Sequence, residues 1–478
     1  MNKRIASFIT VATLLGCGQG VEESTSTTVA AVTLAGVTFV DVPGIADEHC
    51  RLPQALLNQI PAGRQVRLLR ANPTRLALCT VDAVAAPQVD GQPPRAQMNA
   101  ATLRGRFIFA ADAGLAPVTN VSVSDQLAGG AAGPIAVQQS GASPDFNFGV
   151  PDVQEWRSQT IPSSVDRVIY TAPHGLIEGG THHQVNTALE GGVDWDAGWI
   201  GMYRQLNNSA GWDQYHTTST EISTTSFPGL GAMVSAGFRY AVSFHGFGTC
   251  AACGDVFVGG GEDATFRSGV AELLREVLPS VDGGAVPTVV VAPAGADMGG
   301  ENPANYVNAL AGGHGLQLEQ SLTIRNSDVY RPAVATAVRE YIDCVIAPGD
   351  VTPSGITFSN TTWSRDVSSY VAGPCPRAVV DVSTRAPMVS FTGEAVTCAV
   401  GARVHVDLFR RRADLSYRRI GGGYRVGVSA PGGCTWSNEP GYIVPGPADF
   451  VTQGVFRAVV RANDAGGALV PVRVRAST

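Results

Sequence analysis

The sequence predicts a mixed α/β domain over residues 155–347, with a small β domain at 29–125 and a β-sandwich at 351–478. Three observations predict it. Between Trp156 and Ala347 short apolar runs alternate with stretches of helical periodicity, the pattern of strands joined by helices. On either side the chain falls into period-two alternation broken by Pro and Gly, which suits sheets with one buried face. The segment 126–154 is rich in Gly, Ala, Ser and Pro and reads as a linker.

The first residues carry Lys3-Arg4, an apolar run from Ile5 to Leu15, and then Gly16-Cys17. The run is too short to span a bilayer, so 1–17 is expected to be an export signal with a lipobox and Cys17 the lipidated residue. Residues 18–28 then form a tether, and the mature chain sits in the cell envelope, anchored to a bacterial membrane and facing outside the cytoplasm. A formal net charge of -7 with no basic block excludes a nucleic-acid binder. Setting Cys17 aside, eight cysteines remain, an even number that favours disulfides in an exported chain. Cys50 with Cys79 and Cys250 with Cys253 are the local candidates, a zinc knuckle at Cys250-Ala-Ala-Cys253 being the alternative.

In the β domain the runs Val32 to Val40, Gln65 to Arg70 and Leu76 to Val81 read as strands. In the α/β domain Val168 to Tyr170, Tyr240 to Phe244 and Thr288 to Val291 suit buried strands. Asp263 can cap a helix whose Phe266, Val270, Leu273, Leu274 and Val277 share one face, ending before Pro279. A second helix carries Val334, Val338, Tyr341, Ile342 and Val345. Beyond 351, Ala378 to Val382, Arg403 to Phe409, Tyr424 to Val428, Val455 to Val460 and Leu469 to Val474 alternate as sandwich strands.

Histidine carries the chemical information. Six of the eight, His174, His182, His183, His216, His245 and His314, fall in the α/β domain. Ala172-Pro-His174-Gly follows one strand, and Phe244-His245-Gly follows another. Two parallel strands ending in His-Gly place both imidazoles at the carboxyl edge of one sheet, where open α/β folds put their sites, and Gly beside each lets backbone come close. Glu178, four residues after His174, offers a carboxylate to the same metal, with positions left for water. Glu319 ends the alternating strand Gly315-Leu-Gln-Leu-Glu319, where a carboxylate could serve as general base. His216 and His314 read as hydrogen-bonded loop or core residues, with contact to substrate as the other option.

These pieces, in this order, resemble the poly-γ-glutamate hydrolases first described from bacteriophage. The matching residues are Ala-Pro-His174-Gly with Glu178-Gly-Gly-Thr181, Thr217-Thr218-Ser219, Val242-Ser-Phe-His245-Gly and Val256-Phe-Val-Gly259-Gly260. Asn302-Pro-Ala-Asn305 with Asn308, and Gly315-Leu-Gln-Leu-Glu319 with Arg325, complete them. The resemblance implies a zinc-carboxypeptidase-like fold, zinc held by His174, Glu178 and His245, and Glu319 as catalytic base. It implies cleavage of γ-glutamyl amide bonds in a polyanionic polymer or peptide. Arg325 or Arg204, with Asn302, Asn305 and Asn308, would then fix a substrate carboxylate. The interval from His174 to Glu178 is one residue shorter than the family's, which makes His182 and His183 further candidate ligands. The alternatives are an amidase acting on γ-glutamyl links of cell-wall peptides and a non-catalytic surface binding lipoprotein.

Overall fold

The computed structural model describes, with short breaks, residues 32–99, 117–127, 136–139, 153–201 and 212–346, together with the strands between 350 and 477. The expected signal with Cys17, the tether and Arg204 lie outside the described residues.

The first unit is a closed barrel of six strands: β1 (Thr33–Asp41), β2 (His49–Arg51), β3 (Gln65–Ala71), β4 (Thr74–Val81), β5 (Arg95–Met98) and β6 (Val118–Ser124). Their order is β1-β5-β2-β4-β3-β6, with β1 also pairing β6 to close the ring. Alternate residues such as Val37 and Phe39, Val66 and Leu68, and Val121 and Val123 fill its interior. Closure leaves no free edge. Cys50 and Cys79 form a disulfide across β2 and β4, and the short helix α1 (Gln54–Leu57) follows β2.

The central unit is an eight-stranded mixed sheet. Its strands are β7 (Ala136–Gln139), β8 (Gln154–Arg157), β9 (Val168–Ala172), β10 (Asp196–Ile200), β11 (Tyr240–Gly246), β12 (Val256–Gly259), β13 (Val289–Val291) and β14 (Gly315–Gln320). They run in the order β13-β12-β14-β11-β9-β10-β8-β7. β7 comes from the stretch expected to be a linker and extends the edge of the sheet beside β8. β9 is parallel to β11, and β11 to β14. Both faces of these strands are covered, which is why they read as near-continuous apolar runs. The short helix α6 (Leu322–Asn326) follows β14 and carries Arg325. On one face Val168, Tyr170, Val242 and Leu316 pack with α2 (Thr181–Glu190), α4 (Ala264–Asp282) and α7 (Tyr330–Ile346). On the other, Ile169, Trp199 and Ala241 meet α3 (Pro228–Ala236) and α5 (Tyr306–Leu310). Asp263 does cap α4, accepting from the Phe266 amide at 2.9 Å, but the helix runs past Pro279 to Asp282.

The last unit has two sheets. β15 (Asp350–Val351), β17 (Ala378–Thr384), β22 (Gly454–Asn463), β19 (Arg403–Arg411) and β20 (Tyr417–Val426) form one. β16 (Trp363–Val367), β23 (Val472–Ser477), β18 (Ser390–Ala395) and β21 (Cys434–Ser437) form the other. β20 begins at Tyr417 instead of Tyr424, and Tyr417, Phe409 and Val459 join the core formed by α4 and α7. Arg419 reinforces this junction from a buried position, with Asp407 at 2.7 Å and Glu272 at 2.5 Å. His314 belongs to the same junction. Its Nδ1 meets Glu262 at 2.8 Å, and it lies at the opposite end of β14 from Glu319, roughly 16 Å away along the strand. Among the described residues no helix is long and apolar enough to cross a membrane.

Candidate metal centre

His174 and Glu178 lie in the loop that follows β9, where both Ile177 N and Glu178 N donate to the His174 carbonyl. That helical turn puts residues four apart on one side, so the short interval still brings them together: His174 Nδ1 is 2.8 Å from Glu178 Oε1. His245 arrives from β11, its Nδ1 3.4 Å from Glu178 Oε2. The two Nδ1 atoms thus converge on the two oxygens of one carboxylate, all three side chains being buried.

The outer nitrogens point away toward a third segment. His174 Nε2 is 3.0 Å from the Thr217 carbonyl, and His245 Nε2 is 3.3 Å from Ser219 Oγ. A carbonyl can only accept, so it makes His174 a donor at Nε2 and leaves Nδ1 facing the carboxylate, where a cation could be held between the two. His216, on the same segment, places its ring 4.5 Å from that of His174, with Trp212 stacked on it at 3.7 Å. The ligand-type atoms of His174, Glu178 and His216 all lie within 4.8 Å of one another, a group able to hold a cation. The rings of His182 and His183 lie 4.0 Å apart in α2, and neither these two nor His245 belong to that group.

Glu319 is placed by register. The parallel pairing of β14 with β11 sets it beside His245, its Oε1 3.9 Å from His245 Nδ1 and accepting from Gln317 Nε2 at 2.9 Å. Burial pushes Glu319 up to about 7, against the pull of His245. Glu178 is also raised by burial, but His174 and His245 outweigh that and hold it well below the carboxylate range. Two carboxylates in one site therefore divide the work: one stays ionised and the other can exchange a proton.

A cavity of about 930 Å³ opens over these groups, and Arg325, Asn302 and Asn305 are among its walls. Arg325 donates to three main-chain carbonyls, those of Gln320 at 3.2 Å, Gly179 at 3.1 Å and Phe247 at 3.4 Å, and so ties together the loops that carry the site. Asn308 lies outside the cavity. Its carboxamide bonds Gly300 O, Asn302 O and Gly261 N and shapes the neighbouring loops. Asn305 caps α5 and donates to Gln317 at 2.7 Å. Cys250 and Cys253 form a disulfide beside the Phe247 to Thr249 wall of the cavity, which removes them as zinc ligands.

The glycine after His245 has a physical reason different from ligand access. A Cβ at Gly246 would overlap the Arg325 guanidinium. Gly246→Ala is expected to cost about 1–3 kcal/mol by forcing that guanidinium off its carbonyls, read as a lower urea midpoint at constant slope. An unchanged midpoint would mean that Arg325 yields freely.

The sequence pattern of the poly-gamma-glutamate hydrolase family matches residues 151–335. Among solved structures, a bacteriophage poly-gamma-glutamate hydrolase is 25% identical with a TM-score of 0.29, covering 41% of this chain and 89% of that one. The zinc-free apo form of YNDL is 19% identical with a TM-score of 0.31, covering 40% and 90%. A metallo-carboxypeptidase from Burkholderia cenocepacia is 10% identical with a TM-score of 0.25, covering 59% and 80%. TM-scores this low give these likenesses no weight in the chemistry. No match was found among the curated proteins.

Proposed function

We propose that this chain, whose residues 151–335 match the poly-gamma-glutamate hydrolase family, is a zinc-dependent hydrolase of γ-glutamyl amide bonds. The observation that carries it is the convergence of His174 Nδ1 and His245 Nδ1 on the carboxylate of Glu178. Two buried imidazoles, which bind a metal in their neutral form, and a buried ionised carboxylate are a donor set that fits zinc. When bound, zinc supplies polarisation of a carbonyl and a water with a pKa near 7. Glu319 then has the part of accepting the proton of the attacking water and delivering it to the departing nitrogen. Gln317 holds its carboxylate toward His245, and the buried setting keeps its affinity for a proton high enough to exchange it near neutral pH.

Asn302, which faces the cavity, is proposed for a substrate carboxylate, with Arg204 as a second group; Arg325 lines the cavity too, but its guanidinium is engaged by three main-chain carbonyls. The family match supports a γ-linked glutamyl polymer as substrate. The disulfides Cys50–Cys79 and Cys250–Cys253 support an oxidising compartment outside the cytoplasm; the lipid anchor at Cys17 is proposed from the sequence alone.

The test is metal analysis of the purified full-length chain beside cleavage assays on γ-linked and α-linked polyglutamate. About one zinc per chain with cleavage of the γ-linked polymer alone is the expected result. Cleavage confined to γ-glutamyl cell-wall peptides would replace the substrate and keep the chemistry. Neither zinc nor cleavage would end the hydrolase reading.

A further inference from the structure

We infer that the N-terminal barrel is part of the metal centre, with Glu48 a positioning residue that clamps the segment 216–219 behind the ligands; the metal itself rests on the function proposed above. Glu48 lies in the turn before β2, at φ 66, a backbone conformation that side-chain-bearing residues seldom adopt. Its carbonyl accepts from Thr80 N at 2.8 Å, which fixes the turn to β4. Strain of this kind persists only where the surroundings enforce it, and it marks positions with a task.

The carboxylate leaves the barrel and spends both oxygens on one stretch of the α/β domain. Oε1 is 2.6 Å from His216 Nδ1, and Oε2 accepts from Thr218 N at 2.7 Å and Thr218 Oγ1 at 3.0 Å. The same stretch supplies the Thr217 carbonyl to His174 and the Ser219 hydroxyl to His245. Glu48 therefore holds the segment between the two points at which it orients the ligand imidazoles. His216, its nitrogen committed to Glu48, is fixed against the His174 ring. Carboxylates and carbonyls behind metal-bound histidines set their tautomer and angle, and losing one costs about 10–100-fold in metal affinity.

The barrel also grips this region at points that do not touch the ligands. His49 Nε2 meets Glu221 Oε2 at 3.2 Å, Ser223 Oγ donates to Gln65 Oε1 at 3.0 Å, and Gln65 N donates to Ser226 Oγ at 2.8 Å. Docking and clamping can thus be separated by mutation. Glu221→Gln weakens a docking contact and leaves the clamp; Glu48→Ala removes the clamp and leaves these contacts.

The experiment uses the full-length chain, with zinc titrated against a chromophoric chelator for wild type, Glu48→Ala and Glu221→Gln. The His216 Nδ1–H proton is followed by NMR in the zinc-free protein. Expected is a loss of about 10–100-fold in zinc affinity for Glu48→Ala, together with loss of the His216 signal, and neither effect for Glu221→Gln. Zinc affinity within twofold of wild type in Glu48→Ala overturns the proposal, as does an equal loss in Glu221→Gln, which would make docking alone the cause. If the wild type takes up no zinc, the metal reading fails. The NMR signal then decides separately: its survival in Glu48→Ala overturns the clamp, and its loss upholds it.

Discussion

Glu319→Gln is expected to leave fold and zinc content unchanged and to lower γ-glutamyl hydrolysis by about 10²–10⁴, the range for removal of a general acid–base group. The substitution is nearly isosteric, and its carbonyl can still accept from Gln317, as Glu319 Oε1 does at 2.9 Å. What goes is the capacity to take a proton. The pH dependence follows with a definite sign. A base works when deprotonated, so kcat/KM rises with pH through the Glu319 pKa and then levels. Burial, only partly offset by His245, puts that pKa at about 7, and a nearby cation favours the ionised form, so the limb falls below 7 in the zinc-loaded enzyme. The limb should vanish in Glu319→Gln. Persistence of both rate and limb would assign the base elsewhere.

Glu178→Gln is expected to cost more than about 100-fold in zinc affinity, because residues that merely orient ligands already cost about 10–100-fold. The carboxylate is the one group shared by the whole centre: His174 Nδ1 at 2.8 Å, His245 Nδ1 at 3.4 Å and the Gly246 amide at 3.0 Å all address it. A carboxamide keeps one uncharged oxygen in place of two charged ones, and its NH2 can neither bind a cation nor accept from the Gly246 amide. Zinc competition assays on the full chain measure the loss, with hydrolysis falling in parallel at limiting zinc. Retention of tight binding would shift the ligand role toward His216, which belongs to the same compact group.

Much of the site was legible because strand ends and register are local properties. His174 and His245 both follow apolar runs, and such runs are strands buried on both faces. Parallel pairing of β9 with β11, and of β11 with β14, then aligns the residues at their carboxyl ends, Glu319 among them. The short His174 to Glu178 interval still brings the two side chains together because a helical turn closes it. Other features were hidden for equally physical reasons. Arg325 and the Asn residues carry the right chemistry for a carboxylate, but a side chain's partners depend on which carbonyls the loops bring near. Arg325 therefore braces three loops, and Asn308 is used wholly by main chain. His314, read in sequence as a hydrogen-bonded loop or core residue with substrate contact as the other option, lies at the far end of its strand, against Glu262. Nothing in the sequence distinguishes Glu48, a turn residue 168 positions before the histidine that it holds.

By itself the sequence determined the alternation of strands and helices, the flanking β units and the identity of the groups at the carboxyl edge of the central sheet. Those follow from periodicity and from residue types at strand ends, which short windows of chain specify. Only the tertiary structure decided which nitrogen of each histidine faces the carboxylate, which arginine donors are already taken, and that a separate barrel reaches the centre. Hydrogen-bond partners of buried polar groups are set by whatever folding brings within about 3 Å, and here that joins residues from opposite ends of the chain's first half.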